Sequence, residues 1–257
     1  MAEQTLRLTP PLREGQAGNR GFGYPPFGHT DRSTKRHART ISRARSSLGA
    51  VGERLESFPL FPLGIVLLPE EMVPLHIFEE RYKLMIGECL EQEREFGIVW
   101  LSDAGLREVG CTAQIAELLD TMEDGRMNIL VRGSRPFRLL RRVERLAYPA
   151  GDVELLDDDL EEPELGALEE TRERYSELVE RLTDSRPEAD QLASLGSYGI
   201  AATIDFALDA KQSLLESRSE DERLRMLTEL IVAAMKRVDY VERAGERARA
   251  NGKVRFR

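Results

Sequence analysis

Hydrophobic and polar positions alternate with two different periods along this chain. From about residue 57 to 156 the spacing is mostly that of strands. "PLFPL" and "MVPLHI" are short apolar runs broken by prolines, which suits strands at a sheet edge or corner. "FEERYKLMIGECLEQE" switches to helical spacing, with Tyr82, Met85, Ile86, Cys89 and Leu90 on one face. "FGIVWL" (96–101) is continuously apolar and predicts a buried strand, with Trp100 in the core. Val109, Cys111, Ala113 and Ile115 then alternate with their neighbours, and "EDGR" (123–126) predicts a hairpin turn because Gly125 accepts positive φ. "MNILVRG" returns as its partner, and "PFRLLRRVERL" and "GDVELL" read as two further strands. About six strands with one interposed helix point to a small closed barrel, which leaves no exposed edges.

After "DDDLEEPEL" (157–165), an acidic linker without the spacing of a calcium loop, the period becomes helical. Tyr175, Leu178, Val179 and Leu182 form one stripe, and "SYGIAATIDFAL" reads as a short apolar helix. Asp209 with Gln212, and Ser219 with Glu222, predict capping boxes at two helix starts. The expected fold class is α+β, a β-barrel with one interposed helix followed by a bundle of about four helices. The expected organisation is a basic tail over 1–54, a barrel over 55–157, a bundle over 158–250 and a short tail over 251–257.

Charge separates the tail from the body. Residues 1–54 hold 10 Lys and Arg against 4 Asp and Glu, a local +6, which leaves −15 on the rest of a chain whose formal total is −9. An acidic body repels phosphates, so nucleic acid is an expected partner only through the tail's "KRHARTISRARSS". That tail is rich in Gly, Pro, Ser and Arg and is expected to be disordered. Cys89 and Cys111 lack C-x-x-C spacing, no apolar run reaches membrane-spanning length, and no apolar signal core follows the first charges. These features suit the cytoplasm.

Catalytic patterns are missing from the sequence. It contains no G-x-x-x-x-G-K-[ST], no H-E-x-x-H and no G-x-S-x-G. His29 and His37 fall in the tail without companion ligands, so His76 is the single histidine of the body. Lys83, Lys211 and Lys236 fall at polar helix positions. No cofactor, no metal site and no catalytic residue are expected.

Three blocks carry a family resemblance. They are "FPLFPLGIVLLPEEMVPLHIFEERYKLMI" (58–86), "VGCTAQIAELLDTMEDGRMNILVRGSRPFRLL" (109–140) and "DFALDAKQSLLESRSEDERLRMLTELI" (205–231). Together they resemble the N-terminal, substrate-binding domain of the ATP-dependent Lon proteases, over about 57–240. The likeness is greatest to stand-alone bacterial proteins that consist of this domain without ATPase or protease modules. The resemblance implies a PUA-like β pseudo-barrel followed by a helical bundle. It also implies a non-catalytic module for unfolded or degron-bearing polypeptides or a protein partner, an adaptor or regulator in protein quality control. The alternative class is an RNA-binding PUA-like protein. The motif H-I-F-E-x-R-Y supplies candidate peptide-binding residues: His76, Glu79, Arg81 and Tyr82, beside Met72 and Phe78. Arg132 and Arg135, flanking Gly133, are candidates for an acidic peptide. The plainer reading makes Glu79 and Arg81 surface charges, Tyr82 core, and His76 a side chain bonded to backbone.

Overall fold

Strand β1 (Arg54–Leu63) carries Pro59 and Pro62 and yet has neighbours on both sides. The reason is stagger. Its first half pairs antiparallel with β7 (Ala150–Leu155), up to Pro59 opposite Ala150. Its second half, Leu60 to Leu63, pairs parallel with β3 (Phe96–Ser102). Leu60 donates its N–H to the Pro149 carbonyl at 2.8 Å, on the β7 side. Alternation then puts the missing donor of Pro62 beyond the end of β7 and that of Pro59 before the start of β3. The expected edge position is corrected here to an interior strand whose prolines fall at the two ends of its ladders.

The computed structural model describes residues 52–159 and 163–251, so the expectations for residues 1–51 and for 252–257 lie outside the described residues. The remaining strands are β2 (Met72–Ile77), β4 (Gly105–Leu106), β5 (Val109–Thr121) and β6 (Met127–Val143). One sheet runs in the order β1, β7, β6, β5, β3, β4, and the β1–β3 pairing returns it to its start. Five strands therefore close a ring, with β2 added to β6 and β4 to β3. Helix α1 (Glu80–Glu91) lies between β2 and β3 in the chain and buries Tyr82, Met85, Ile86 and Cys89, as its spacing predicts.

The two segments expected as separate strands after the hairpin are one strand of 17 residues. Strand β6 holds β5 along one side, while β2 and β7 occupy the other side in succession. Gly133 sits where that side changes hands. Its N–H donates to the Glu71 carbonyl and its carbonyl accepts from Glu70, both at 2.9 Å. A Cβ here would lie 2.0 Å from the Leu68 carbonyl oxygen, so only glycine fits. At the hairpin tip Gly125 takes φ +79°, as the Asp-Gly turn requires.

Helices α2 (Leu165–Thr183), α3 (Ala189–Ala193), α4 (Ser197–Ala201), α5 (Leu208–Glu216) and α6 (Glu220–Asn251) follow. The apolar helix expected over 197–208 is thus only its first turn. A large core joins the strand residues Phe61, Phe96 and Ile129 to the helical residues Leu178, Leu214 and Leu227. A smaller one, Phe58, Leu60, Val99, Phe137, Val153 and Leu155, comes from the ring strands. No helix among the described residues is long and apolar enough to cross a membrane.

Polar anchors hold the helices to the strands. Lys211, expected at a polar surface position, is buried and donates to both Glu71 carboxylate oxygens at 2.6 and 2.8 Å. Gln212 does not close a capping box. Helix α5 starts at Leu208, and Gln212 turns inward to the Val109 carbonyl and Glu216. Ser219 does accept the Glu222 N–H, at 3.4 Å, but the Glu222 carboxylate takes the Ser217 hydroxyl instead of completing the box. Arg223 is buried over the Tyr198 ring, bonds Ser197 and Glu220, and pairs with Asp158 at the start of the connection from β7 to α2. Trp100, expected in the core, is half-buried: it packs against the large core from its margin, and Arg107 lies over its ring at 5.1 Å.

Two outcomes are expected. Gly133→Ala lowers stability by about 3 kcal/mol or more, read as a fall in denaturant midpoint at unchanged slope. Burial alone would raise the Glu220 carboxyl, but the Ser197 and Arg223 hydrogen bonds outweigh it and hold the group below its ordinary value of 4.5. A depressed carboxyl stabilises the fold above its unfolded pKa and loses that contribution as pH falls through the folded one. Glu220→Gln is therefore less stable than wild type at pH 7, and the gap closes as unfolding is measured below pH 4.5.

Candidate functional site

A closed ring has two ends, and one of them is open as a groove. Its volume is about 660 Å³. The floor is the end of β1, Leu60 to Leu63. One wall is the start of α1, a second is Leu101 and Leu106 of the β3–β4 hairpin, and a third is the connection from Arg142 to Pro149 between β6 and β7. Mouths of small barrels are common ligand sites because the strand ends cannot all be covered.

The α1 wall is held rigid. The Tyr82 ring packs on Phe61 with centroids 4.1 Å apart. Arg81 lies 4.6 Å above the Tyr82 ring and donates to Glu79 at 2.9 Å. Burial pushes the Tyr82 phenol above its ordinary value despite the nearby Arg81 cation. The third wall is pinned by Tyr148, whose hydroxyl donates to Glu88 at 2.5 Å and accepts from Arg94 at 2.9 Å. Burial and then the bond to Glu88 raise the Tyr148 phenol as well.

The lining is mostly apolar. Leu101 and Leu146 are exposed, at 52% and 38%, where a core leucine would be near zero. Charges sit at the rim as Glu79, Arg81, Arg142 and Glu144. The arrangement suits an apolar side chain in the groove and polar backbone or charge at its edge. No group of three or more metal-ligating side chains exists among the described residues.

The sequence candidates divide among three places. Glu79, Arg81 and Tyr82 come together on the groove. Met72, His76 and Arg132 lie instead on the β2–β6 ladder, where Met72 is opposite Arg132 and His76 opposite Asn128. His76 bonds the Asn128 side chain at 2.7 Å, not backbone as the plainer reading had it, and Phe78 stacks on its ring at 5.9 Å. Phe78 is 59% exposed and stands outside the groove lining. Arg135 is tied to Glu53 at 3.3 Å and Asp157 at 2.6 Å, bridging the start of β1 to the end of β7. Those ion pairs occupy its guanidinium.

Sequence reasoning missed the far walls. Leu106 lies in a two-residue strand, too short for any period to register. Leu146 sits in a charged connection, "RRVERLAYP", whose single leucine was the available signal. Leu101 ends the apolar run, whose continuity predicts burial, yet it is exposed.

Residues 57–233 match the family described as the ATP-dependent protease La (LON) substrate-binding domain. A Lon protease of Anaeromyxobacter dehalogenans is 25% identical over 191 residues, 67% of this chain and 22% of that protein. A Lon protease of Syntrophomonas wolfei is 26% identical over 218 residues, 74% of this chain and 26% of that protein. The chain thus spans about a quarter of the length of these curated relatives. The Lon N-terminal domain protein from Xanthomonas campestris superposes with a TM-score of 0.52 at 26% identity, over 67% of this chain and 97% of that one. The N-terminal domain of the Mycobacterium avium complex Lon protease shares the fold at a TM-score of 0.53, 21% identity, 69% and 98% coverage.

Removing one hydroxyl tests the pinned wall. Tyr148→Phe is expected to cost about 1–2 kcal/mol, because Glu88 and Arg94 each lose a bond while keeping the other. The loss is read as a Tm fall of about 2–4 °C per kcal/mol. The same variant removes one phenol from the part of the tyrosine absorbance titration that lies above the ordinary value of about 10.

Proposed function

We propose, from the premise that the chain belongs to the ATP-dependent protease La (LON) substrate-binding domain family, that it is a non-catalytic module holding unfolded or degron-bearing polypeptides. The groove at the ring mouth is the place where it holds them. On this reading the ring is a PUA-like pseudo-barrel over 55–157, residues 158–250 form the helical bundle, and the module works in the cytoplasm as an adaptor or regulator in protein quality control. The matched family is a binding domain, which supports a role without chemistry of its own.

One observation carries the reading. An apolar groove of about 660 Å³ retains two exposed leucines, Leu101 and Leu146, on walls that are otherwise anchored by aromatic packing and hydrogen bonds. Such a groove accepts one or two apolar side chains of an extended segment. Each buries for about 1.5–3 kcal/mol, and association offsets much of that gain. Weak, sequence-tolerant affinity follows, of the order of 10–100 μM. The outer ladder residues Met72, His76, Phe78 and Arg132 serve as a secondary contact surface where a longer segment leaves the groove.

Reduced casein, an unstructured protein, is the probe. Association is expected below about 100 μM by isothermal titration. Leu101→Asp combined with Leu146→Asp weakens it at least tenfold, about 1.4 kcal/mol, with Tm nearly unchanged because both side chains are already exposed. No detectable association at about 100 μM across several unfolded proteins overturns the reading.

A further inference from the structure

The ring leaves one long ladder unfinished. Strand β3 pairs with β5 only at Cys111, Thr112 and Ala113. From Gln114 to Thr121, β5 is paired to β6 on one side, and among the described residues no strand lies on the other. This edge is exposed almost throughout, including Leu118 at 45% and Leu119 at 49%. Where β3 diverges from β5, a cleft of about 430 Å³ opens between Glu93, Arg94, Glu95, Gln114 and the end of α1.

Charge along this edge is mostly negative, since the one cation at the cleft, Arg94, is paired with Glu88 at 3.0 Å. Glu117 and Asp120 lie on β5, and Glu93 and Glu95 lie at the cleft, and none of the four takes part in an ion pair among the described residues. The register sorts the side chains by face. Glu117 and Asp120 stand opposite Leu130 and Asn128, while Leu118 stands opposite the buried Ile129. The edge thus presents acid on one face and leucine on the other.

We propose that the β5 edge from Gln114 to Thr121 accepts an added strand from a basic polypeptide whose lysines or arginines alternate with apolar residues. This goes beyond the groove reading and does not rest on it. An exposed strand edge offers unpaired backbone N–H and C=O groups, and strand addition satisfies them while alternate side chains set preference. Antiparallel addition continues the direction of β3 and brings the C-terminal end of the new strand to the cleft. A second copy of this chain is disfavoured as occupant, since its own edge would bring like charges together. The bulges at 115–117 and 118–120 twist the edge and limit the added strand to a short segment.

The test uses the full chain and a synthetic peptide of about ten residues alternating Lys and Val. Hydrogen exchange is expected to slow within 114–121 on binding. A peptide of equal charge carrying N-methyl groups on alternate amides loses about tenfold or more in affinity, because methylation removes the donors and leaves the charge. A Glu-Val peptide fails to bind. Glu117→Lys with Asp120→Lys weakens the Lys-Val peptide about tenfold, while Leu101→Asp leaves it unchanged. Equal binding of the N-methylated peptide would show mere charge adhesion and overturn the proposal. So would protection confined to the groove, absence of binding at about 100 μM, or protection of 114–121 by self-association of the free protein. The wild-type comparison of the two peptides decides the matter even if the double lysine variant folds poorly.

Discussion

Everything in this structure depends on the double pairing of β1. A strand with two prolines lacks two donors, and it can sit inside a closed sheet only if those positions fall where no ladder bond is due. The stagger between β7 and β3 meets that condition. It also closes the ring, because the sheet's first strand takes β7 on one side over its first half and β3 on the other over its second. The small cluster around Phe137 is the interior that this closure creates.

Closure leaves the outer faces to the helices, and two buried cations set how the helices meet them. Lys211 reaches Glu71, whose own backbone carbonyl accepts from Gly133. The change of neighbours along β6 and the seat of α5 therefore share one residue. Arg223 does the same for the connection that leads out of the sheet, through Asp158 and Glu220. Buried pairs of this kind add little net stability over an apolar replacement, but breaking one leaves an uncompensated charge. Their effect is to make alternative docking arrangements costly.

The surface features follow from the same geometry. A ring has ends, and the end bounded by β1, the β3–β4 hairpin and the 142–149 connection remains a groove. A ring whose strands differ in length also has overhangs. Strand β5 is 13 residues long and β3 only 7, so β5 runs on past its neighbour as a free edge. The first feature fits an apolar side chain and the second fits an extended backbone. Both follow from where strands stop.

The order of strands then helices, the α1 face, the Asp-Gly hairpin and the family membership are legible from the sequence by itself. Each rests on local signals: a period of two or 3.6, a turn dipeptide, or a motif read in order. The candidate site was half legible. Glu79, Arg81 and Tyr82 lie within one motif and do reach the groove, whereas Leu101, Leu106 and Leu146 are distant in sequence and joined only by closure. Lys211 and Gln212 show the same limit from the other side. Their helical phase is that of Leu208 and Leu215, on the buried face of α5, but their residue types read as polar surface, and a carboxylate and a carbonyl brought from Glu71 and Val109 satisfy them there. Ring closure, the single continuous β6, the groove and the free edge of β5 were decided by tertiary structure, because each depends on where one strand ends against another, and strand length and register are settled by long-range pairing and not by the local pattern.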